Sequence, residues 1–122
     1  MKLHAISIII PVLNEQATVQ ALIERIAQTA YLYTLTYEII FVDDHSTDHT
    51  REVISKLATK YPIYLYTKKG KRGKKHSLLE GFSHAQYDIL CMIDGDLQYP
   101  PENLPKMIEY LLLLLGREVR EY

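Results

Sequence analysis

Four short β-branched runs alternate with four stretches whose apolar residues recur at helical spacing, and this alternation restricts the fold more than any other property of the sequence. The first run, Ile6-Ser7-Ile8-Ile9-Ile10-Pro11-Val12, lacks the polar alternation of a half-exposed strand, so it reads as a strand covered on both faces. Asn14 is placed to cap the helix that follows, where Val19, Leu22, Ile23 and Ile26 share one face. Tyr37-Glu38-Ile39-Ile40-Phe41-Val42 is a second strand. Ser46 or Thr47 then opens a helix with Val53, Ile54 and Leu57 inside. Pro62 suits the start of a third strand, Ile63-Tyr64-Leu65-Tyr66. Residues 68–75 hold Gly70 and Gly73 and read as a loop, before a helix through His76, Leu78, Leu79, Phe82 and Ala85. Asp88-Ile89-Leu90-Cys91-Met92-Ile93 is the fourth strand. Pro100-Pro101 leads into a last helix carrying Leu104, Met107, Ile108, Leu111 and Leu112.

This order predicts an α/β fold: a mostly parallel sheet with right-handed crossovers and helices on both faces. At 122 residues the chain has room for one domain, and nothing in it reads as a repeat or a linker. Such folds bind ligands in loops at the carboxyl ends of their strands. By that rule Pro11-Val12-Leu13-Asn14-Glu15, Asp43-Asp44 and Asp94-Gly95-Asp96 open onto one edge, so topology gathers the acids.

The gathered residues fit one kind of chemistry. Asp94 and Asp96 stand two residues apart just past a buried strand, and Gly95 between them lets the backbone bend both carboxylates toward one divalent cation. Mg²⁺ or Mn²⁺ favours oxygen ligands and keeps positions for water and phosphate; Gln98 offers a further neutral oxygen. The alternative for this segment is a solvated turn. Asp43 and Asp44 can accept hydrogen bonds from ribose hydroxyls or a base edge, while Ser46, Thr47 and Asp48 cap the next helix. His45 and His49 read as exposed loop histidines. The net charge of −1 conceals a strong asymmetry, for Lys68, Lys69, Lys71, Arg72, Lys74 and Lys75 crowd into eight residues. That loop can neutralise a diphosphate, with Lys74 or Lys75 at a helix start adding to its dipole. Nucleic acid is the rival partner for a basic run and is not expected, because no aromatic residue stacks within it. Tyr64 and Tyr66 come before it in a strand, where packing accounts for the rings.

Absent patterns narrow the choice. The first strand is followed by no Gly-x-Gly-x-x-Gly, and the chain has no Gly-x-x-x-x-Gly-Lys-Ser/Thr loop and no Gly-x-Ser-x-Gly elbow. The single cysteine, Cys91, excludes an internal disulfide and sits mid-strand, unsuited to act as a nucleophile. No apolar run approaches the ~20 residues of a membrane span, and the first four residues, with no small-residue cleavage site after them, do not read as a signal peptide.

Four blocks in one order, Ile8-Ile9-Ile10-Pro11-Val12-Leu13-Asn14-Glu15, Phe41-Val42-Asp43-Asp44-His45-Ser46-Thr47-Asp48, Gly73-Lys74 with Gly81, and Met92-Ile93-Asp94-Gly95-Asp96-Leu97-Gln98-Tyr99-Pro100-Pro101, resemble glycosyltransferase family 2, which has the GT-A fold with its Rossmann-like nucleotide-binding half. The last block is most similar to the polyprenyl-phosphate sugar transferases, the dolichyl-phosphate mannosyltransferase group. The resemblance implies a nucleotide-diphosphate sugar donor, a divalent metal and an inverting transfer. It implies that Pro11, Leu13, Glu15, Val42, Asp43 and Asp44 hold the nucleoside. Lys74 would face the phosphates, and Asp94, Gly95, Asp96 and Gln98 would hold the metal and diphosphate, with Asp94 and Asp96 catalytic. Gly95 departs from the Ala that the family often has there.

A lipid-phosphate acceptor would be ionised at neutral pH and need no general base, whereas a saccharide hydroxyl would need one. The family's acceptor-side residues are expected beyond Tyr122, which makes residues 1–122 the N-terminal, donor-binding part of such a domain. The competing expectation is a fragment that binds nucleotide and metal without turnover. Location is expected to be cytoplasmic, at the cytoplasmic membrane face for the longer protein. Leu111 to Leu115 make the last helix apolar around much of its circumference, and either downstream sequence or a second copy of the chain would cover it.

Overall fold

The computed structural model describes residues 4–116, so Met1, Lys2 and Leu3, on which the reading of the chain start partly rests, lie outside the described residues. Strands β1 (Ala5–Val12), β2 (Thr36–Asp43), β3 (Ile63–Thr67) and β4 (Ile89–Met92) alternate with helices α1 (Val19–Leu32), α2 (Thr50–Leu57), α3 (Lys74–His84) and α4 (Leu104–Leu114). The four strands form one sheet in the order β3-β2-β1-β4, and every pairing is parallel. Ile8 therefore stands between Ile39 and Cys91 in the middle of the sheet.

The two faces of the central strands are both apolar, as the run of isoleucines predicts. Ile6, Ile8, Ile10, Val12, Ile39 and Phe41 pack under α1, α2 and α4 through Leu22, Ile26, Ile54, Ile108 and their neighbours. Each such fully buried side chain contributes about 1.5–3 kcal/mol of transfer free energy. Ile9, Ile40 and Val42 point to the other face, beneath α3. The chain steps outward from β1 to β2 to β3 and then returns to the far side of β1, and that reversal sends α3 to the opposite face. At the end of the sheet away from the strand tips, the buried Glu38 carboxylate accepts from Ser7 Oγ at 2.6 Å, Gln86 N at 2.7 Å and Gln86 Nε2 at 3.0 Å. These bonds tie the exit of α3 to the sheet.

Four local expectations differ from the structure, each for a physical reason. Asn14 does not cap α1, which starts at Val19 after Thr18. It adopts a left-handed φ of 55° and turns its Oδ1 to the Thr47 and Asp48 amides instead, at 2.8 and 3.2 Å. The second helix starts at Thr50, not at Ser46 or Thr47, because Ser46 turns its amide and hydroxyl back onto the Asp43 carboxylate. On α3 the residues against the sheet are Ser77, Leu78 and Gly81, with Ala85 just past its end, whereas Leu79 and Phe82 are exposed. The helix lies so close to β1 that small side chains form its contact face. Tyr64 is exposed on the edge strand β3, whereas Tyr66, two residues on, stacks on His84 of α3 with ring centroids 3.7 Å apart.

The leucine run of α4 divides. Leu112 joins Leu104 and Ile108 in the core, while Leu111, Leu113, Leu114 and Leu115 are exposed. No helix among the described residues is long and apolar enough to cross a membrane.

Candidate functional site

The strand order reverses between β1 and β4, and the segments leaving those two strands, with the one leaving β2, form the wall of a crevice. Cross-bonds hold these segments in place. Asn14 N donates to Ser46 Oγ at 2.9 Å, Glu15 N to Thr50 Oγ1 at 2.8 Å, and Thr18 Oγ1 to the Gly95 carbonyl at 2.6 Å. Three of their residues, Asn14, His45 and Leu97, hold positive φ values, which asparagine and histidine adopt more readily than leucine.

The crevice contains a cavity of about 260 Å³. Pro11, Leu13, Glu15 and Asp44 line it from the β1 and β2 sides, and Lys74, Asp94, Gly95 and Asp96 from the others. The remaining three residues singled out in the sequence do not line it. Val42 is buried in the layer under α3. Asp43 is fully buried, its carboxylate taken by Ser46 and by Arg51 Nε at 3.6 Å. Gln98 is exposed, and its amide donates to Asp96 Oδ1 at 3.1 Å. His45 and His49 are exposed, as their loop positions predict. Sequence reasoning passed over Val12 and Ser77, which also line the cavity, and over Lys68. For Ser77 the only signal was its place one helical turn after Gly73.

Charge in the cavity is unbalanced. Lys74 Nζ lies 2.7 Å from Asp94 Oδ1. That hydrogen bond and the charge of Asp94, with smaller contributions from Asp96 and Glu15, raise the lysine above its ordinary pKa. Glu15 is raised as well, first by burial and then by Asp96, Asp48 and Asp94, against the opposing pull of Lys74. Three carboxylates thus share one ammonium. Asp44 Oδ2 accepts from Gly73 N at 3.1 Å, but its buried Oδ1 has no hydrogen-bond partner. Cys91 lies in the core, where burial pushes its thiol up to about 11, so it is no nucleophile at neutral pH.

The all-oxygen donors Asp94 and Asp96 fit Mg²⁺ or Mn²⁺, and the ammonium on Asp94 marks where positive charge is favoured. Among the described residues no group of three or more His, Cys, Asp or Glu side chains forms a metal cage, so an ion there would complete its shell from water or ligand oxygens.

A prediction follows for Glu15. Its folded pKa is raised, so its ionisation opposes folding; the stability is fully present below the ordinary glutamate pKa, declines as pH rises above it, and is lost once pH passes the raised pKa. Glu15→Gln should match the parent protein in thermal stability near pH 4 and gain on it toward pH 7. Thermal melts at both pH values test this; a gap that does not widen with pH refutes the electrostatic picture.

The fold and crevice define an open parallel α/β protein of the ligand-at-the-switch-point class. Residues 7–112 match the family model described as Glycosyl transferase family 2, and the chain belongs to that family. It is 39% identical over 104 residues to a dolichol-phosphate mannosyltransferase of Pyrococcus furiosus, a match that covers 85% of this chain and 29% of that protein. It is 36% identical over 109 residues to an undecaprenyl-phosphate 4-deoxy-4-formamido-L-arabinose transferase of Yersinia enterocolitica, covering 88% and 33%. Among solved structures, the mannosyltransferase PcManGT of Pyrobaculum calidifontis, in complex with GDP-Man and Mn²⁺, superposes with a TM-score of 0.71 at 25% identity, over 84% of this chain and 30% of that one. S. aureus TarS 1-349 in complex with UDP gives a TM-score of 0.72 at 20% identity over 96% and 38%, a likeness of fold. These neighbours are GT-A glycosyltransferases, and this chain shares their architecture of parallel sheet and helices. The chain spans about a third of the length of the curated relatives it matches.

Proposed function

We propose that this chain forms the donor side of an inverting, metal-dependent glycosyltransferase, binding a nucleotide-diphosphate sugar whose sugar passes to a polyprenyl phosphate. The observation that carries the reading is the cavity in which Lys74 and Asp94 pair at 2.7 Å beside Asp96, Glu15 and Asp44. The acids suit a divalent cation, the lysine suits a phosphate, and the Asp44 carboxylate in the cavity wall suits an N–H or O–H of a nucleoside. The GDP-Man and Mn²⁺ bound by PcManGT support the same pairing of ligands, and the names of the relatives support a lipid-phosphate acceptor.

In this reading Pro11, Leu13, Glu15 and Asp44 receive the nucleoside, with Val42 and Asp43 supporting them from behind. Asp94 and Asp96, with Gln98 beside them, hold the cation, whose contribution when bound is to offset the charge that develops on the leaving diphosphate. Lys74 exchanges Asp94 for phosphate oxygens when donor enters, which frees the Asp94 carboxylate for the cation. Gly95 keeps the turn close to β1, for a Cβ there would stand 2.9 Å from Val12 Cγ1. An acceptor phosphate needs no base from the protein. It attacks the anomeric carbon opposite the diphosphate, and the configuration inverts. For the longer protein the cytoplasmic face of a membrane is the matching location.

Calorimetric titration with GDP and UDP, with and without Mn²⁺, tests the reading. One of the two nucleotides should bind with an affinity that the metal raises; binding of neither would refute it. A second reading, donor binding without turnover, draws on the share of the relatives that the chain spans. It predicts the same titration but no release of nucleoside diphosphate when sugar donor and polyprenyl phosphate are supplied together.

A further inference from the structure

Lys68 is among the most deeply buried large side chains of the protein, at 1% exposure, and no hydrophobic or metal-binding role accounts for it. A buried ammonium is expensive unless fully paired. Its Nζ donates to the Gly73 carbonyl at 2.6 Å and lies 3.8 Å from Asp44 Oδ1. The Gly73 amide in turn donates to Asp44 Oδ2 at 3.1 Å, and the same Gly73 carbonyl accepts from Ser77 N at 3.2 Å, the first bond of α3. The result is a closed ring of Lys68, Gly73 and Asp44 that joins the loop after β2 to the first turn of α3. Arg72 reaches the same carboxylate at 3.9 Å, but it is largely exposed and so a weaker partner.

Lys68 does not line the cavity, so it does not touch a ligand there. We infer that Lys68 is a positioning residue, whose buried ammonium locks the Asp44 carboxylate and the Gly73 end of α3 into one arrangement, so that Asp44 and the start of α3 keep their places in the cavity wall. The inference rests on the reading of the cavity as a nucleotide site and adds the residue that shapes it. Gly73 has a φ of 112°, a conformation available to glycine, so the clamped turn admits no other residue without strain. Lys74 follows directly, and the clamp therefore also fixes where the ammonium that pairs with Asp94 begins its reach.

The test is a double-mutant cycle of Lys68→Met and Asp44→Asn, read by calorimetric affinity for GDP and UDP with Mn²⁺ and by amide exchange at Gly73. Lys68→Met alone should lower nucleotide affinity about 10- to 100-fold, by analogy with the loss of an outer partner that orients a metal ligand. In the Asp44→Asn background the same change should have little further effect, because Lys68 acts through Asp44. Losses that multiply, or a lower melting temperature with affinity unchanged, overturn the clamp. The Gly73 amide should also exchange faster in Lys68→Met, and unchanged exchange overturns the clamp whether or not nucleotide binds. If the parent protein binds neither nucleotide, the reading of the site fails, and the exchange measurement alone then decides the clamp. If Lys68→Met does not fold, Lys68→Gln, which keeps a polar group in the pocket, is read in the same assays.

Discussion

Asp96→Asn is expected to abolish the gain in nucleotide affinity that Mn²⁺ confers. The cation site proposed here has two carboxylates of its own, Asp94 and Asp96, and no third acidic or imidazole side chain completes it among the described residues. Asp94 is already shared with Lys74, so Asp96 carries the more available negative charge. Loss of an outer partner at a metal site typically costs 10- to 100-fold in affinity, so loss of a direct ligand should cost about 100-fold or more. In metal-free buffer the sign reverses. Removing one of the acids around Lys74 lowers repulsion of a diphosphate, so the variant should bind nucleotide as well as the parent or slightly better. Titrations with and without Mn²⁺ separate the two effects. Unchanged affinity with Mn²⁺ would reject Asp96 as a ligand, and a loss equal in both buffers would point to a damaged loop.

Much of the fold could be read from one-dimensional patterns because the central strands are covered on both faces. Ile8, Ile9 and Ile10 are consecutive apolar residues that a one-sided sheet would not tolerate, and all three are fully buried. The same legibility extends to the acids, since loops that follow parallel strands must leave the same edge. What failed was local and came from tertiary bonds. Asn14 has the chemistry of a helix cap, yet the loop after β2 offered it two amides and it turned there. Asp43 and Asp44 are identical in sequence terms, but side chains alternate along β2, so Asp43 turns back to Ser46 and Asp44 faces the cavity. No pattern in the sequence distinguishes Lys68 from the other basic residues of its loop. Its difference is positional: it is the first residue after β3 and is still held by the sheet, its amide donating to the Asp43 carbonyl at 2.8 Å. That bond draws its side chain inward, while the lysines and arginine at 69–72 are left in solvent.

Gly81→Ala should destabilise the protein and weaken nucleotide binding together, although helix propensity alone predicts the opposite sign. Alanine inside a helix is favoured over glycine by about 1 kcal/mol. Here the added Cβ would lie 2.4 Å from Ile9 Cγ2 and 3.2 Å from Ile9 Cγ1. Ile9 is β-branched, fully buried and fixed in the central strand, so it cannot move aside as the tip of a long side chain would. The helix must lift instead, and overpacking of this kind costs about 1–3 kcal/mol, enough to exceed the propensity gain. For a chain of this length a net loss of 1 kcal/mol lowers the melting temperature by about 4 °C. Lifting α3 also shifts Gly73, Lys74 and Ser77, which line the cavity two turns toward the helix start. Nucleotide affinity should therefore fall several-fold in the folded variant, at temperatures well below its melting point. Ser83→Ala provides the control, because that exposed side chain bonds only the Glu80 carbonyl and faces away from the sheet. A Gly81→Ala protein that melts higher than its parent would show that α3 is free to tilt, and the close approach to Ile9 would then not be what sets the height of the cavity wall.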